Sequence, residues 1–423
     1  MVAPATWFAY LNEARWFQAK GLATGVAGIE PGPWLVRQPD CWLRSELAEV
    51  TLPRGSQTYH LIVGYLPAGR GEADALVTRE DVVGFGPADV VDAPRSAVAR
   101  QALWRGLTAS PAVTWWGHPP DPATRVDLFT GEQSNTNLAI GDAAVAKLLR
   151  KLTEGRSLDV EVLAALNGSG ITPGLLGAWR DPDRDLDLGL VVERIPDAVD
   201  GWDWATQACR EGRPVGAELA ALGRTLRRLH ELLARAFPTH SLPGAAVADQ
   251  LRRRLDHVVA ELPQLRADRL GLDRAVAGIG DGPVAVQRVH GDFHLGQTLL
   301  SGSTWTILDF EGEPLKTPAE RRAPDSRWRD VAGLTRSIDY ARGHHPHPDS
   351  APARAWAVDA RRHFLDGYAG GDPVPGLLGA YEADKAAYEL LYETRNRPQW
   401  RDIPRRALAD LARAAPVDRQ TTA

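Results

Sequence analysis

The chain has only two cysteines among its 423 residues, Cys41 and Cys209, far apart and in no Cys-x-x-Cys pair. That excludes a disulfide framework and a thiolate zinc site, and leaves two buried thiols as the reading. No apolar run approaches the ~18 residues of a membrane span, and the opening MVAPATWFAYLNEARWF lacks a basic start followed by an apolar stretch. No membrane partner is expected, and the location read from these absences is cytoplasmic. Basic excess is missing as well: the formal charge is -5, the pI is near 6.1, and the arginines are scattered rather than grouped with aromatics. A nucleic-acid footprint is thereby excluded, and a monomer working on small molecules is expected. Lysine is scarce, five of 49 basic residues. A lysine on an apolar face is therefore informative here.

Apolar residues make up 44% of the chain, ample for a core, and the length suggests two or three domains at ~100 to 200 residues each. The chemistry concentrates in residues 287 to 312, QRVHGDFHLGQTLLSGSTWTILDFEG. AVQRV reads as a short buried strand, HGDFHLGQ as a loop and TWTILDF as a second strand, with a turn at Ser301-Gly302-Ser303 before it. Asp292 and Asp309 are then expected on neighbouring strand ends. Phosphoryl transfer from ATP asks for one carboxylate to hold the attacking hydroxyl, and for a second acid plus an amide to hold Mg²⁺. Asp292 fits the catalytic role, and Asp309 with Gln297 fits the metal role, since Mg²⁺ keeps waters and takes phosphate oxygens for its remaining positions. His290 would support the loop.

From Arg125 the pattern is VDLFT, GEQSNTNLAI, a Gly141-Asp142 turn and AVAKLLRK. GEQSNT is neither a Walker A nor a GxGxxG loop, but Ser134, Asn135 and Thr136 offer hydroxyl and backbone N–H groups to phosphate oxygens. Lys147 alternates with Val145 and Leu149, so it shares their strand face and needs an anionic partner, with the ATP phosphates as its task. SLDVEVLAAL reads as a helix capped by Ser157, and Glu161 lies on its apolar face beside Leu158 and Val162. A strand lysine paired with a helix glutamate is the kinase arrangement that orients the phosphate-binding ammonium. LGLVVERIP follows as a strand whose Glu193-Arg194-Ile195 backbone would meet adenine. Leu219 to Leu233 and Leu251 to Leu262 recur at helical spacing, and His230 and His257 on those helices read as ordinary helix residues.

HGDFHLGQ followed by LDFEGEP resembles the aminoglycoside phosphotransferase-like kinases and, among them, the maltokinases. The likeness extends through DFEGEPLKTPAERRAPDS, RDVAGLTRS, YEADKAAYELLYETRNRPQW and EQSNTN. It implies an α+β, two-lobed protein-kinase-like fold with an N-terminal cap subdomain (1–94), a nucleotide-binding small lobe (95–198) and a mostly helical catalytic and acceptor lobe (199–423). ATP would lie between the lobes. It also implies phosphorylation of maltose to maltose 1-phosphate for glycogen synthesis, with ATP and Mg²⁺ as cofactors. Glucosamine kinases and aminoglycoside phosphotransferases carry an HGD loop too and remain the alternative, as does, in another class, a catalytically silent scaffold.

The acceptor site is expected on AYEADKAAYELLYETRNRPQW, where Tyr381, Tyr388 and Tyr392 form one helical stripe and Glu382, Glu389 and Glu393 another. Aromatic rings stack on a pyranose face while carboxylates take its hydroxyls. His294, Tyr388, Glu389, Arg395 and Trp400 are the candidate acceptor residues. In ERRAPDSRWRDVAGLTRSIDYA, a helix from about Ser326, Arg329, Asp330 and Arg336 read as structural ion pairs before sugar ligands. GHHPHP reads as a solvated loop. TWFAYLNEARWFQAKG should be a helix ending at Gly21, and VTLP with TYHLIVGYLP a hairpin, followed by connections to about residue 95.

Overall fold

The computed structural model describes residues 2–129, 134–181, 183–267, 269–313 and 316–414. The chain divides into two compact units, Met1–Asn167 with Pro173–Pro196, and Gly168–Thr172 with Asp197–Ala423.

In the first unit, helix α1 (Pro4–Glu13) precedes strands β1 (Gly25–Gln38), β2 (Cys41–Thr51), β3 (Ser56–Pro67), β4 (Leu76–Val82) and β5 (Gly86–Asp92), an antiparallel sheet in the order β1-β2-β3-β5-β4. β3 is buried along most of its length because both faces are covered. Tyr59, Leu61, Val63 and Tyr65 join the core of Trp7 and Leu11, each such side chain contributing ~1.5–3 kcal/mol by its burial. On the other face helix α2 (Ala97–Ala109) comes so close that a Cβ on Gly64 would stand 3.3 Å from that of Ala99.

Two sequence expectations give way here. α1 ends at Glu13, not Gly21, because the chain leaves the helix to lay Trp16 and Phe17 against Tyr59, with ring centroids 6.2 and 4.9 Å away. β4 and β5 occupy the stretch expected to be connections. β1 shows no clean alternation, since Gly28 and the Pro31-Gly32-Pro33 run coincide with breaks in its register against β2.

A second antiparallel sheet contains β6 (Val113–Trp115), β7 (Val126–Leu128), β8 (Thr136–Ile140), β9 (Ala144–Leu148), β11 (Leu175–Asp181) and β12 (Leu186–Glu193), in the order β6-β11-β12-β9-β8-β7. The two-residue β10 (Lys151–Leu152) instead pairs with β3 of the first sheet. Arg150, between β9 and β10, ties the sheets together. Its buried guanidinium sits 4.3 Å above the Trp16 ring, donates to both oxygens of Asp92 at 2.9 and 3.0 Å, and gives Nε–H to Thr136 Oγ1 at 2.8 Å. Helix α3 (Leu158–Ala165) begins where the Ser157 hydroxyl accepts from Val160 N.

The second unit is mostly helical. After β13 (Val199–Asp200) come α4 (Gly201–Glu211), α5 (Gly216–Ala236), β14 (His240–Pro243), α6 (Gly244–Glu261) and α7 (Arg269–Ala277). Next are β15 (Pro283–Val286), β16 (Thr298–Ser301), β17 (Thr304–Ile307), α8 (Pro318–Arg322), α9 (Trp328–Gly343), α10 (Ala351–Ala369), α11 (Leu377–Asn396) and α12 (Asp402–Ala414). β16 and β17 form the hairpin expected around Gly302, whose φ is 60°. AVQRV is only half strand: β15 pairs with β14 as far as Val286, then Gln287 exchanges two 2.9 Å backbone hydrogen bonds with Asp325. No helix of the described residues is long and apolar enough to cross a membrane.

Candidate active site

The HGD segment hangs between β15 and β16 and is held from below by one buried carboxylate. Asp330, on the first turn of α9, accepts from His290 N at 2.8 Å through Oδ2 and from Gly291 N at 2.9 Å through Oδ1. His230 of α5 donates to the same Oδ2 from Nε2 at 2.9 Å, and its Nδ1 lies 2.9 Å from the Tyr368 hydroxyl. Burial alone would raise the Asp330 pKa, but the His230 hydrogen bond and charge, with the loop amides, hold it below its ordinary 3.8. Gly333, one turn along α9, gives the loop its seat: a Cβ there would lie 2.3 Å from Phe293 O. His290 is buried, donates Nε2–H to Leu308 O at 2.8 Å and accepts from Asp292 N at 3.4 Å. It fixes the loop and has no free edge for chemistry. His230, which read as an ordinary helix residue, is part of this support.

Past β17, Leu308 N donates to Gln297 O at 2.9 Å, which brings the Gln297 side chain beside Asp309. Gln297 Nε2 lies 3.3 Å from Asp309 Oδ2, and Asp309 has φ 59°, the left-handed region that few non-glycine residues occupy. Strain of this kind, of order 1–3 kcal/mol, persists where the surroundings impose it, commonly at functional sites. With its amide turned over, Gln297 would set its oxygen beside that carboxylate, a hard-oxygen pair suited to Mg²⁺, whose other ligands would be water and phosphate. Asp292 lies on the loop and Asp309 in the turn after β17, so neither is on a strand itself.

A cavity of about 380 Å³ opens at Asp292, at the small end of the ~300–1,000 Å³ typical of small-molecule sites. His294 and Asp292 form one side, α11 supplies Lys385, Tyr388, Glu389, Tyr392 and Glu393, and Trp202 with Trp400 adds aromatic surface. Burial lowers the His294 pKa, with Lys385 and His290 pushing the same way. Of the two stripes read on α11, only the C-terminal members reach the cavity. Tyr381 is buried with its hydroxyl on Asp325 at 2.7 Å, and Glu382 is held by Arg361 and Thr335. Arg395 does not line the cavity either: it is exposed and paired with Glu261 at 2.8 Å, while Arg397, half a turn on, takes the lining position.

His344 of the GHHPHP run, expected in solvent, is half-buried between Trp202 and Trp400, with ring centroids 4.9 and 4.6 Å away. It props Trp400 against the cavity, and Arg397 stacks over the same ring at 4.2 Å. Losing one stacking surface of this kind costs ~0.5–1.5 kcal/mol. Trp400→Ala should accordingly raise KM for the acceptor by roughly 2- to 10-fold and leave KM for ATP unchanged. Michaelis constants and the thermal midpoint measured on one preparation check this; an unchanged acceptor KM in a destabilised protein would make Trp400 a packing residue.

In the first unit, Lys147 on β9 is nearly buried, and its Nζ lies 2.6 Å from Asp159 Oδ2. Asp159, two residues before the expected Glu161, is thus an acid bonded to the lysine. Asp159 is buried on the first turn of α3, while Glu161 is only half-buried. Ser134 is exposed, whereas Asn135 and Thr136 face inward. Asn135 Oδ1 accepts from Arg150 N at 3.2 Å and Thr136 Oγ1 from Arg150 Nε, so both side chains hold the strand. Gly131, Glu132 and Gln133 of the same loop lie outside the described residues. Glu193 ends β12 with its N–H donating to Gly174 O and its carboxylate accepting from Gly174 N.

Residues 125–320 match the phosphotransferase enzyme family. A glucosamine kinase of Streptacidiphilus jiangxiensis is 31% identical over 349 residues, 70% of this chain and 78% of that protein. A glucosamine kinase of Mycolicibacterium smegmatis is 32% identical over 321 residues, 67% of this chain and 78% of that one. In fold, the chain is similar to a solved glucosamine kinase in complex with glucosamine, ADP and inorganic phosphate, with a TM-score of 0.67 over 96% of this chain and 99% of that one at 23% identity. With an HGD loop, an adjoining Asp309 and Gln297, and a strand lysine on a helix acid, this chain belongs to the phosphotransferase enzyme family and has its α+β kinase-like fold.

Proposed function

We propose that the protein transfers the γ-phosphoryl group of ATP to a hydroxyl of an amino sugar, with glucosamine as the first candidate. One observation carries this reading: the cavity at Asp292 is lined by acids, and one of them is unspent. Glu393 is committed to Arg397 and the Tyr340 hydroxyl. Glu389 gives Oε2 to Arg336 Nε at 2.9 Å, and its Oε1 receives no hydrogen bond among the described residues. A carboxylate oxygen facing a small, partly aromatic cavity suits a substrate ammonium, and maltose has no cationic group to meet it. The two glucosamine kinases that cover most of this chain support the same choice. Maltose, to which DFEGEP and RNRPQW point, is the second reading.

In the reaction, the acceptor oxygen bonds to the γ-phosphorus, its proton passes to Asp292, and the bond to the bridging oxygen breaks with its electron pair left on ADP. Mg²⁺, held by Asp309 and Gln297, would offset charge on the phosphates. Lys147 would face those phosphates from its own unit.

The test is ADP release with glucosamine, glucose, maltose and kanamycin in parallel. Glucosamine should give the highest kcat/KM; maltose exceeding it would overturn the acceptor. The pH dependence gives an independent check. Burial raises the Glu389 pKa above its ordinary 4.5, against the pull of Arg336 and Lys385. A raised carboxyl pKa means the ammonium-binding anion is lost at a higher pH than for an exposed glutamate, so KM for glucosamine should rise as pH falls toward the acid range. Glu389→Gln should remove that acid limb and raise KM for glucosamine at neutral pH by roughly 10- to 100-fold, the ~1.5–3 kcal/mol of a hydrogen bond to a charged group. KM for glucose should change far less.

A further inference from the structure

Lys385 lies in the middle of α11, between the two stripes from which the acceptor site was read, and the DFEGEPLK run after β17 so far has a role only for its first residue, Asp309. The structure joins the two. Lys316 Nζ is 2.9 Å from Glu313 Oε2, Glu313 Oε1 is 2.9 Å from Lys385 Nζ, and the same Nζ is 2.9 Å from Asp292 Oδ1. Four charges of alternating sign thus run from Lys316 to the reacting carboxylate. Glu313 is 5% exposed and the Lys385 side chain 11% exposed, so these contacts are poorly screened.

We propose that Lys385 is the positioning residue of the reaction: it holds Asp292 by Oδ1 so that Oδ2 is presented to the acceptor hydroxyl, while Glu313, backed by Lys316, holds the lysine in place. Three features favour this over charge neutralisation alone. Among the described residues Asp292 Oδ2 receives no hydrogen bond, so the lysine secures one oxygen and leaves the other for substrate. Lysine has a flexible four-carbon stem, and a second carboxylate on the far side of Nζ removes that freedom; the Tyr388 ring, 5.2 Å from Nζ, limits it further. The segment that anchors the lysine is also the one that carries Asp309, so one short stretch of chain sets both the metal carboxylate and the orientation of the base. A misplacement of ~1 Å at such a site is worth up to about 10²-fold in rate.

The inference rests on the phosphotransfer reading in taking Asp292 as the base, but not on which sugar is the acceptor. The test uses the full chain as Lys385→Met, Lys385→Arg, Glu313→Gln and the double variant Lys385→Met/Glu313→Gln. Each is assayed for ADP release with glucosamine and for sugar-free ATP hydrolysis, where water takes the acceptor's place, together with both KM values and the thermal midpoint. Lys385→Met should lose roughly 10- to 100-fold in kcat with KM for ATP within about twofold of wild type. Lys385→Arg should keep an intermediate rate. Lys385→Met also leaves Glu313 with Lys316 as its remaining ion-pair partner, so its midpoint should fall, and the double variant should not recover kcat. If the double variant regains turnover to within about threefold of wild type, or Lys385→Met never loses it, the lysine only neutralises Glu313 and the proposal is overturned. If glucosamine elicits no ADP from the wild type, the acceptor assignment fails separately. Sugar-free hydrolysis then decides the lysine's role by the same ordering.

Discussion

Asp292→Asn should leave ATP binding nearly unchanged while turnover falls ~10²- to 10⁴-fold, the usual loss when a general base is removed. The substitution keeps shape and volume on a loop whose position is set elsewhere, by Asp330 on the His290 and Gly291 amides and by Gly333 beneath Phe293. What it removes is the anionic oxygen proposed to take the acceptor's proton, and with it the charge facing Lys385. An interaction made only in the transition state lowers kcat and kcat/KM together. Equilibrium ATP binding and single-turnover rates on the same protein separate this from misfolding. A variant retaining more than about a tenth of wild-type turnover would exclude Asp292 from the role.

The residues proposed for that reaction centre are legible in the sequence because they are close in it: His290, Asp292, Gln297 and Asp309 all fall within about 20 positions between strand patterns. Their supports are not, for they come from far along the chain. His230 meets Asp330 across 100 residues, and Lys385 meets Asp292 across 93. On a single helix either reads as an ordinary amphipathic position, and no local rule reports the partner. Spacing also overstated the acceptor stripe. Tyr381 and Tyr388 share a helix face, yet the first is spent on Asp325 and only the second reaches the cavity, since a buried helix meets different neighbours at each turn. Period alone draws the apolar face of α3 through Glu161, whereas the burial pattern also turns Asp159 inward at the helix start. Trp202 carries no local signal and His344 reads as solvated for the same reason as the supports: His344 packs between Trp202 and Trp400, each far from it along the chain.

Asp330→Ala tests the support directly and should be the most destabilising single change in the second unit. The carboxylate is fully buried and accepts from His230 Nε2, His290 N and Gly291 N. Truncation strands all three donors, at ~1–3 kcal/mol for each unsatisfied group, and partial relaxation should bring the net loss to the ~3–5 kcal/mol seen when one partner of a buried polar pair is removed. For a unit of this size that corresponds to a thermal midpoint lower by roughly 6–20 °C. Activity should fall with it, since the HGD loop loses the groove that holds its backbone. Asp330→Asn should sit between, because an amide oxygen still accepts one or two of the three bonds but carries no charge to meet His230.

The acid behaviour of Asp330 fixes the sign of a second measurement. Its folded-state pKa is held below 3.8, so its stabilisation is fully present above that value and is lost as pH falls through the lower folded value. The gap in thermal midpoint between wild type and Asp330→Ala should therefore be constant from neutral pH down to about pH 4 and narrow only in stronger acid. Differential scanning of both proteins across that range, with circular dichroism to confirm the folded baseline, reads the gap. A variant that melts with wild type at neutral pH yet has lost its activity would show that the loop is held by its own packing. In that case Asp330 would act on the chemistry by another route.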